Sequence, residues 1–118
     1  MPAALTIRAG ATARRVLAER GFDRDAFSTL EGASGGPKWL ALAGLDRVLP
    51  EVLLSRRNEP LDLVGSSIVA FRHACLVQRN PVGAIDRFEA AYIEQAYERR
   101  PTPAEVTAES RRILDVLL

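Results

Sequence analysis

A single cysteine and a single histidine serve a chain of 118 residues. Cys75 has no partner for an internal disulfide, and one thiol makes no metal framework. That scarcity agrees with a reducing, cytoplasmic setting. Charge of either sign is not in excess: 16 basic residues face 15 acidic ones, for a net +1. The balance gives no electrostatic reason to expect nucleic acid or an anionic surface as partner. No apolar run approaches the roughly 20 residues that span a bilayer. The N-terminus also lacks the apolar core of a secretory signal. The stretch TIRAGATARRVLAERGF is rich in arginine and has no acid before Glu19, which suits either a transit segment or, more simply, a first amphipathic helix.

What the chain does have is an ordinary globular composition, 47% hydrophobic and 26% charged. That composition argues against disorder, and at this length a single domain is expected, read as residues 1–118. Folding would bury about two thirds of the surface that the unfolded chain exposes. Val16, Leu17 and the alanines beside them share one helical face, and Gly21 supplies a stop. AFSTLE, residues 26–31, reads as a short strand leading into the loop GASGGP. Pro37 opens a helix whose predicted buried stripe is Trp39, Leu42, Leu45 and Leu49, and Pro50 breaks or restarts it. SRRNEP is a polar connector, and LDLV, residues 61–64, is the second strand.

A largely apolar helix is expected over residues 68–79. Asn80-Pro81 caps the next, along which Ile85, Phe88, Ala91, Tyr92 and Gln95 recur. The last helix opens on a capping box, Thr102 with Glu105. It ends on Ile113, Leu114, Leu117 and Leu118, an apolar end that makes self-association a candidate property. The order predicts an α/β fold in which two adjacent parallel strands accompany about five helices. Two strands make a poor sheet alone, so the pattern resembles the opening part of a larger, incomplete layered structure.

Both strand-to-helix turns could carry chemistry. The second, Gly65-Ser66-Ser67-Ile68-Val69, has the form of a nucleophile elbow, G-x-S-x-G, with its last glycine replaced. A strand followed by a tight turn lifts a serine hydroxyl clear, and the helix behind it aims amides at developing negative charge. Small residues two before and two after the serine let strand and helix pass closely. Gly65 meets that need and Val69 does not: its branched side chain either forces the elbow open or must be absorbed by its neighbours, and overpacking of that kind costs about 1–3 kcal/mol.

The first turn contains a literal G-x-S-x-G, Gly32 to Gly36, with Ser34 at its centre. Its other reading is an amide cradle at Gly35 and Gly36, with Lys38 either supporting the charge or merely solvated. A phosphate-binding P-loop is disfavoured, because Pro37 removes a donor and Trp39 cannot ligate magnesium.

Taken as an ordered pair about 30 residues apart, the two turns resemble the patatin-like phospholipase family, in whose members a glycine-rich oxyanion loop precedes a serine elbow. The stretches EGASGGPKWLALAGLDRVL and LVGSSIVAFRHACL, and the tail PTPAEVTAESRRILDVLL, look like one bacterial branch of it. The resemblance implies a parallel-sheet, three-layer α/β/α domain of which this chain is the N-terminal portion. It implies a serine acyl-ester hydrolase acting on a lipid or other acyl ester, in peripheral contact with membrane, without metal or cofactor. By it Ser67 is the nucleophile, Gly65, Ser66 and Val69 shape the elbow, and Gly35 and Gly36, with Lys38 beside them, form the oxyanion loop. Ser34 then belongs to that loop.

The family uses a serine–aspartate dyad, which leaves His73, in the following helix, without a catalytic role. Its aspartate lies in an Asp-Gly-Gly or Asp-Gly-Ala motif, and no Asp-Gly dipeptide occurs here. Asp46, Asp62, Asp86 and Asp115 have no such context. A non-catalytic relative, or a truncated interaction domain, is therefore the rival expectation. For the remaining residues the plainer roles are expected: Trp39 as packing, Arg72 at the surface, and Cys75 as inert core.

Overall fold

The computed structural model describes residues 6–118. Helix α1, Ala11–Arg20, ends on Gly21, which takes φ +70° and donates its N–H to the Leu17 carbonyl at 2.9 Å. None of its residues is buried; Val16 and Leu17 are only half covered. A 3₁₀ turn, Arg24–Ala26, leads to strand β1, Thr29–Gly32. Strand β2 is Asp62–Gly65. The two pair in parallel with Thr29 opposite Asp62 and Gly32 opposite Gly65, so they end level. Strands were expected over 26–31 and 61–64; the first begins three residues later, because Ala26 closes the 3₁₀ turn, the second one residue later, and both run on to the glycine, whose backbone still fits the ladder.

The polar connector does more than cross the surface. Asp25 accepts from the Asn58 amide at 3.1 Å and from its side chain at 2.9 Å. Arg57 donates to the carbonyls of Phe27 at 2.6 Å and of Arg24, and Arg24 donates to that of Ser55. These bonds tie together the segments that lead into β1 and β2, and so set the register of a sheet too small to set it alone.

Between the strands, a 3₁₀ segment Gly36–Leu42 runs into helix α2, Ala43–Leu49, and then into a π turn, Pro50–Leu54. Pro50 does not end the helix. It keeps helical angles, φ −56° and ψ −41°, and its carbonyl accepts from Ser55 N five residues on. The predicted leucine stripe is displaced around the helix. Trp39, Ala43, Asp46 and Leu53 are the buried residues, whereas Leu42 and Leu45 stand about 40% exposed. Positions 39, 43, 46 and 53 keep the helical period, and the inward turn of Asp46 is what rotates the face.

Helices α3, Ile68–Leu76, α4, Pro81–Ile93, and α5, Pro103–Leu117, complete the chain. Helix α3 stops three residues earlier than expected. The Asn80 side chain caps α4 by accepting from Gly83 N at 3.0 Å. The capping box of α5 is closed both ways: Glu105 N donates to Thr102 Oγ1 at 3.3 Å, and Thr102 N to the Glu105 carboxylate at 2.7 Å.

The core lies among these helices, with α4 packed against α2, α3 and α5. Trp39 stacks on Phe88 with ring centroids 4.5 Å apart, and Phe71 stacks on Phe88 at 5.7 Å. Leu30 and Leu63 press against this cluster from the strands. Two arginines clamp α4 to α5. Arg87 donates to the carbonyls of Val116 and Leu117, and Arg112 donates to that of Ala91 at 3.1 Å. Each thereby satisfies orphan carbonyls at the other helix's end. Of the apolar C-terminal residues, Ile113 and Leu117 are buried, while Leu118 is 71% exposed. The described residues thus form an α/β structure of five helices and one two-stranded parallel sheet. None of the described helices is long and apolar enough to cross a membrane.

Candidate active site

Parallel strands that end level send their following segments out at the same end of the sheet. Both glycine-serine turns therefore meet there. Ser67 takes φ +53° and ψ −130°, a conformation that a β-carbon makes costly, at about 1–3 kcal/mol. It occupies the N-cap position of α3, yet its side chain makes no capping hydrogen bond. The turn is closed by backbone instead: Val69 N donates to the Ser66 carbonyl at 3.1 Å and Ala70 N to that of Ser67 at 3.0 Å. The result is an exposed serine hydroxyl at the positive end of a helix, not used by the fold.

Gly36 also takes a left-handed conformation, φ +53°. It shares with Ser67 the wall of one cavity of about 370 Å³ between α3, α4 and α5. Ile68, Phe71, Phe88, Val106 and Ile113 make that cavity largely apolar, and Tyr92, Gln95 and Ser110 supply its polar groups. Burial raises the Tyr92 phenol above its ordinary pKa. The other oxyanion-loop candidates stand apart from this cavity. Gly35 and Lys38 are exposed and do not line it, and the Lys38 amide is spent on the Gly35 carbonyl at 3.3 Å. Ser34 is exposed outside it as well.

Among the described residues, no carboxylate or imidazole lines the cavity beside Ser67. His73 does not line that cavity, although its Nδ1 packs 3.3 Å from where a Gly65 β-carbon would stand. It lines a second cavity, of about 300 Å³, with Asp46, Arg72 and the leucines at 42, 45 and 49. Its Nδ1 is buried without a hydrogen-bond partner, and burial depresses its pKa, with Arg72 adding to the effect and Asp46 opposing it. Arg72, expected at the surface, is instead held in a bidentate pair with buried Asp46.

Val69 is absorbed. It is fully buried, and its methyl groups fill the space left by two glycines. A β-carbon on Gly32 would lie 2.5 Å from Val69 Cγ1, and one on Gly65 would lie 2.3 Å from the same carbon. The elbow tolerates a branched residue because the neighbouring strand ends in glycine too. The sequence contained the signal, a glycine at the end of each strand, but the cross-strand pairing was needed to make it legible. Among the described residues no group of three or more His, Cys, Asp or Glu side chains could hold a metal ion. Comparison with family models, with curated proteins and with solved structures found no match.

Proposed function

We propose that this chain carries the nucleophile and oxyanion turns of a serine acyl-ester hydrolase of patatin-like type, with Ser67 as the attacking group. One observation carries the reading: a strained, exposed serine at a helix N-terminus shares an apolar cavity with the left-handed Gly36 of the neighbouring turn. Ser67 Oγ attacks the acyl carbonyl carbon, and its proton passes to a base. The carbonyl oxygen becomes an oxyanion, held by the Gly36 amide and the α3 N-terminus. The alcohol leaves with a proton, and water then releases the acid from the acyl-enzyme. The acyl chain lies in the cavity between α3, α4 and α5. Cytoplasmic location, peripheral contact with lipid, and the wider three-layer fold belong to the same reading, as does the base, an aspartate of the family's dyad that this chain's motifs do not supply.

A fluorophosphonate probe tests it. The chain should be labelled, with Ser67→Ala abolishing labelling and Ser34→Ala sparing it. Labelling that survives Ser67→Ala would refute the assignment. The absence of an acid or imidazole from the cavity wall favours a second reading, a non-catalytic acyl-binding relative. That reading expects an ordered protein that binds fatty acid but stays silent to the probe.

A further inference from the structure

We infer that Val69 is a positioning residue that sets the separation between the Gly36 turn and Ser67. This rests on the hydrolase reading for its chemical consequence, although the packing stands by itself. Gly32 and Gly65 are register partners at the ends of β1 and β2. Four residues beyond Gly32 lies Gly36, and two beyond Gly65 lies Ser67. The three atoms nearest to where a Gly32 β-carbon would stand all belong to Val69, and Val69 fills most of the Gly65 space as well, with His73 Nδ1 beside it. One isopropyl group thus touches the root of both turns and is itself carried on the first turn of α3, directly behind the serine. Its size determines how closely α3 approaches the strand ends. That approach determines where Ser67 stands relative to Gly36.

The two glycines are not equivalent. At Gly32 only the valine methyls would collide, at 2.5 and 3.2 Å, while Val69 Cβ is an ordinary 3.4 Å away. At Gly65 the valine Cβ itself lies 2.9 Å away, and a second residue crowds the position, with His73 Nδ1 at 3.3 Å. Trimming Val69 to alanine can therefore make room for a side chain at position 32 but not at position 65. A generic loss of packing would not distinguish them.

The test measures saturable fluorophosphonate labelling of the full chain, together with thermal unfolding, in Val69→Ala, Gly32→Ala, Gly65→Ala and the doubles Gly32→Ala/Val69→Ala and Gly65→Ala/Val69→Ala. Val69→Ala should slow the maximal labelling rate by about tenfold or more, with the half-saturating probe concentration unchanged, since a misplacement near 1 Å can cost up to about a hundredfold. Gly32→Ala should be slower still and be partly rescued in its double, whereas Gly65→Ala should not be rescued. A folded Val69→Ala labelled at the wild-type rate, or additive effects at Gly32 and Val69, would overturn the inference. If the wild-type chain is not labelled, the hydrolase reading fails, and the amide resonances of Gly36 and Ser67 decide the spacer. Both should move in Val69→Ala; Gly36 unmoved would sink the inference.

Discussion

Arg72 grips Asp46 through two parallel hydrogen bonds, Nε to Oδ2 at 2.7 Å and Nη2 to Oδ1 at 2.6 Å, with Asp46 as a residue only 2% exposed. The pair joins α3 to α2 and so holds the elbow helix against the crossover that follows the glycine-rich turn. The Asp46 hydrogen bonds raise the Arg72 pKa further above its ordinary value. Removing only the arginine would leave a buried charge without a partner. Arg72→Ala should therefore destabilise the fold by about 3–5 kcal/mol in urea unfolding. Replacing both residues, as Arg72→Met/Asp46→Leu, should cost much less, because no charge is then stranded. Equal losses in the single and the double would show that packing, not charge pairing, is at stake.

His73 makes stability depend on pH. Burial and Arg72 lower its pKa in the fold below the ordinary 6.5, against a smaller opposing effect of Asp46. Glu31 also lines its cavity. The unfolded chain then binds a proton at higher pH than the folded one. The contribution is fully present above about pH 7 and is lost as pH falls through 6.5 toward the folded value. The difference in melting temperature between wild type and His73→Gln should change over that interval and level off above it. A difference independent of pH would remove the histidine as its source.

Val106 stands 43% exposed on the rim of the Ser67 cavity, so a larger side chain there need not disturb the core. Val106→Trp should narrow the space open to an acyl chain. Hydrolysis or labelling with long-chain substrates should fall by about tenfold relative to short ones, the discrimination that apolar pockets ordinarily provide. A uniform change at all chain lengths would place the acyl group somewhere other than this cavity.

Cys75 is completely buried, and burial pushes its thiol up to about 12. The folded chain should react negligibly with Ellman's reagent at about pH 8, and fully once unfolded. Reaction in the native state, at a rate independent of denaturant, would contradict the packing of α3.

Local chemistry made much of the architecture legible. The caps at Asn80 and Thr102, the glycine stop at Gly21 and the two strand-turn-helix units depend on residues close in sequence, and the structure contains each of them. The leucine stripe of α2 misled because periodicity alone does not say which side of a helix meets its neighbour. Asp46 turned inward once a partner was present at Arg72, 26 residues away. Arg57 likewise belonged to what read only as a polar connector, yet its donors meet carbonyls about 30 residues earlier.

By itself, then, the sequence determined the elements and the residues that start and stop them, since capping and turn preferences act over three or four positions. It also placed a serine at a strained strand-to-helix turn. Only the tertiary structure decided that Gly32 lies beside Gly65, that Val69 fits between them, and that Ser67 and Gly36 open into one cavity. Those facts depend on atoms brought together by strand pairing and helix packing, and no local preference encodes the space that two absent side chains leave for a third.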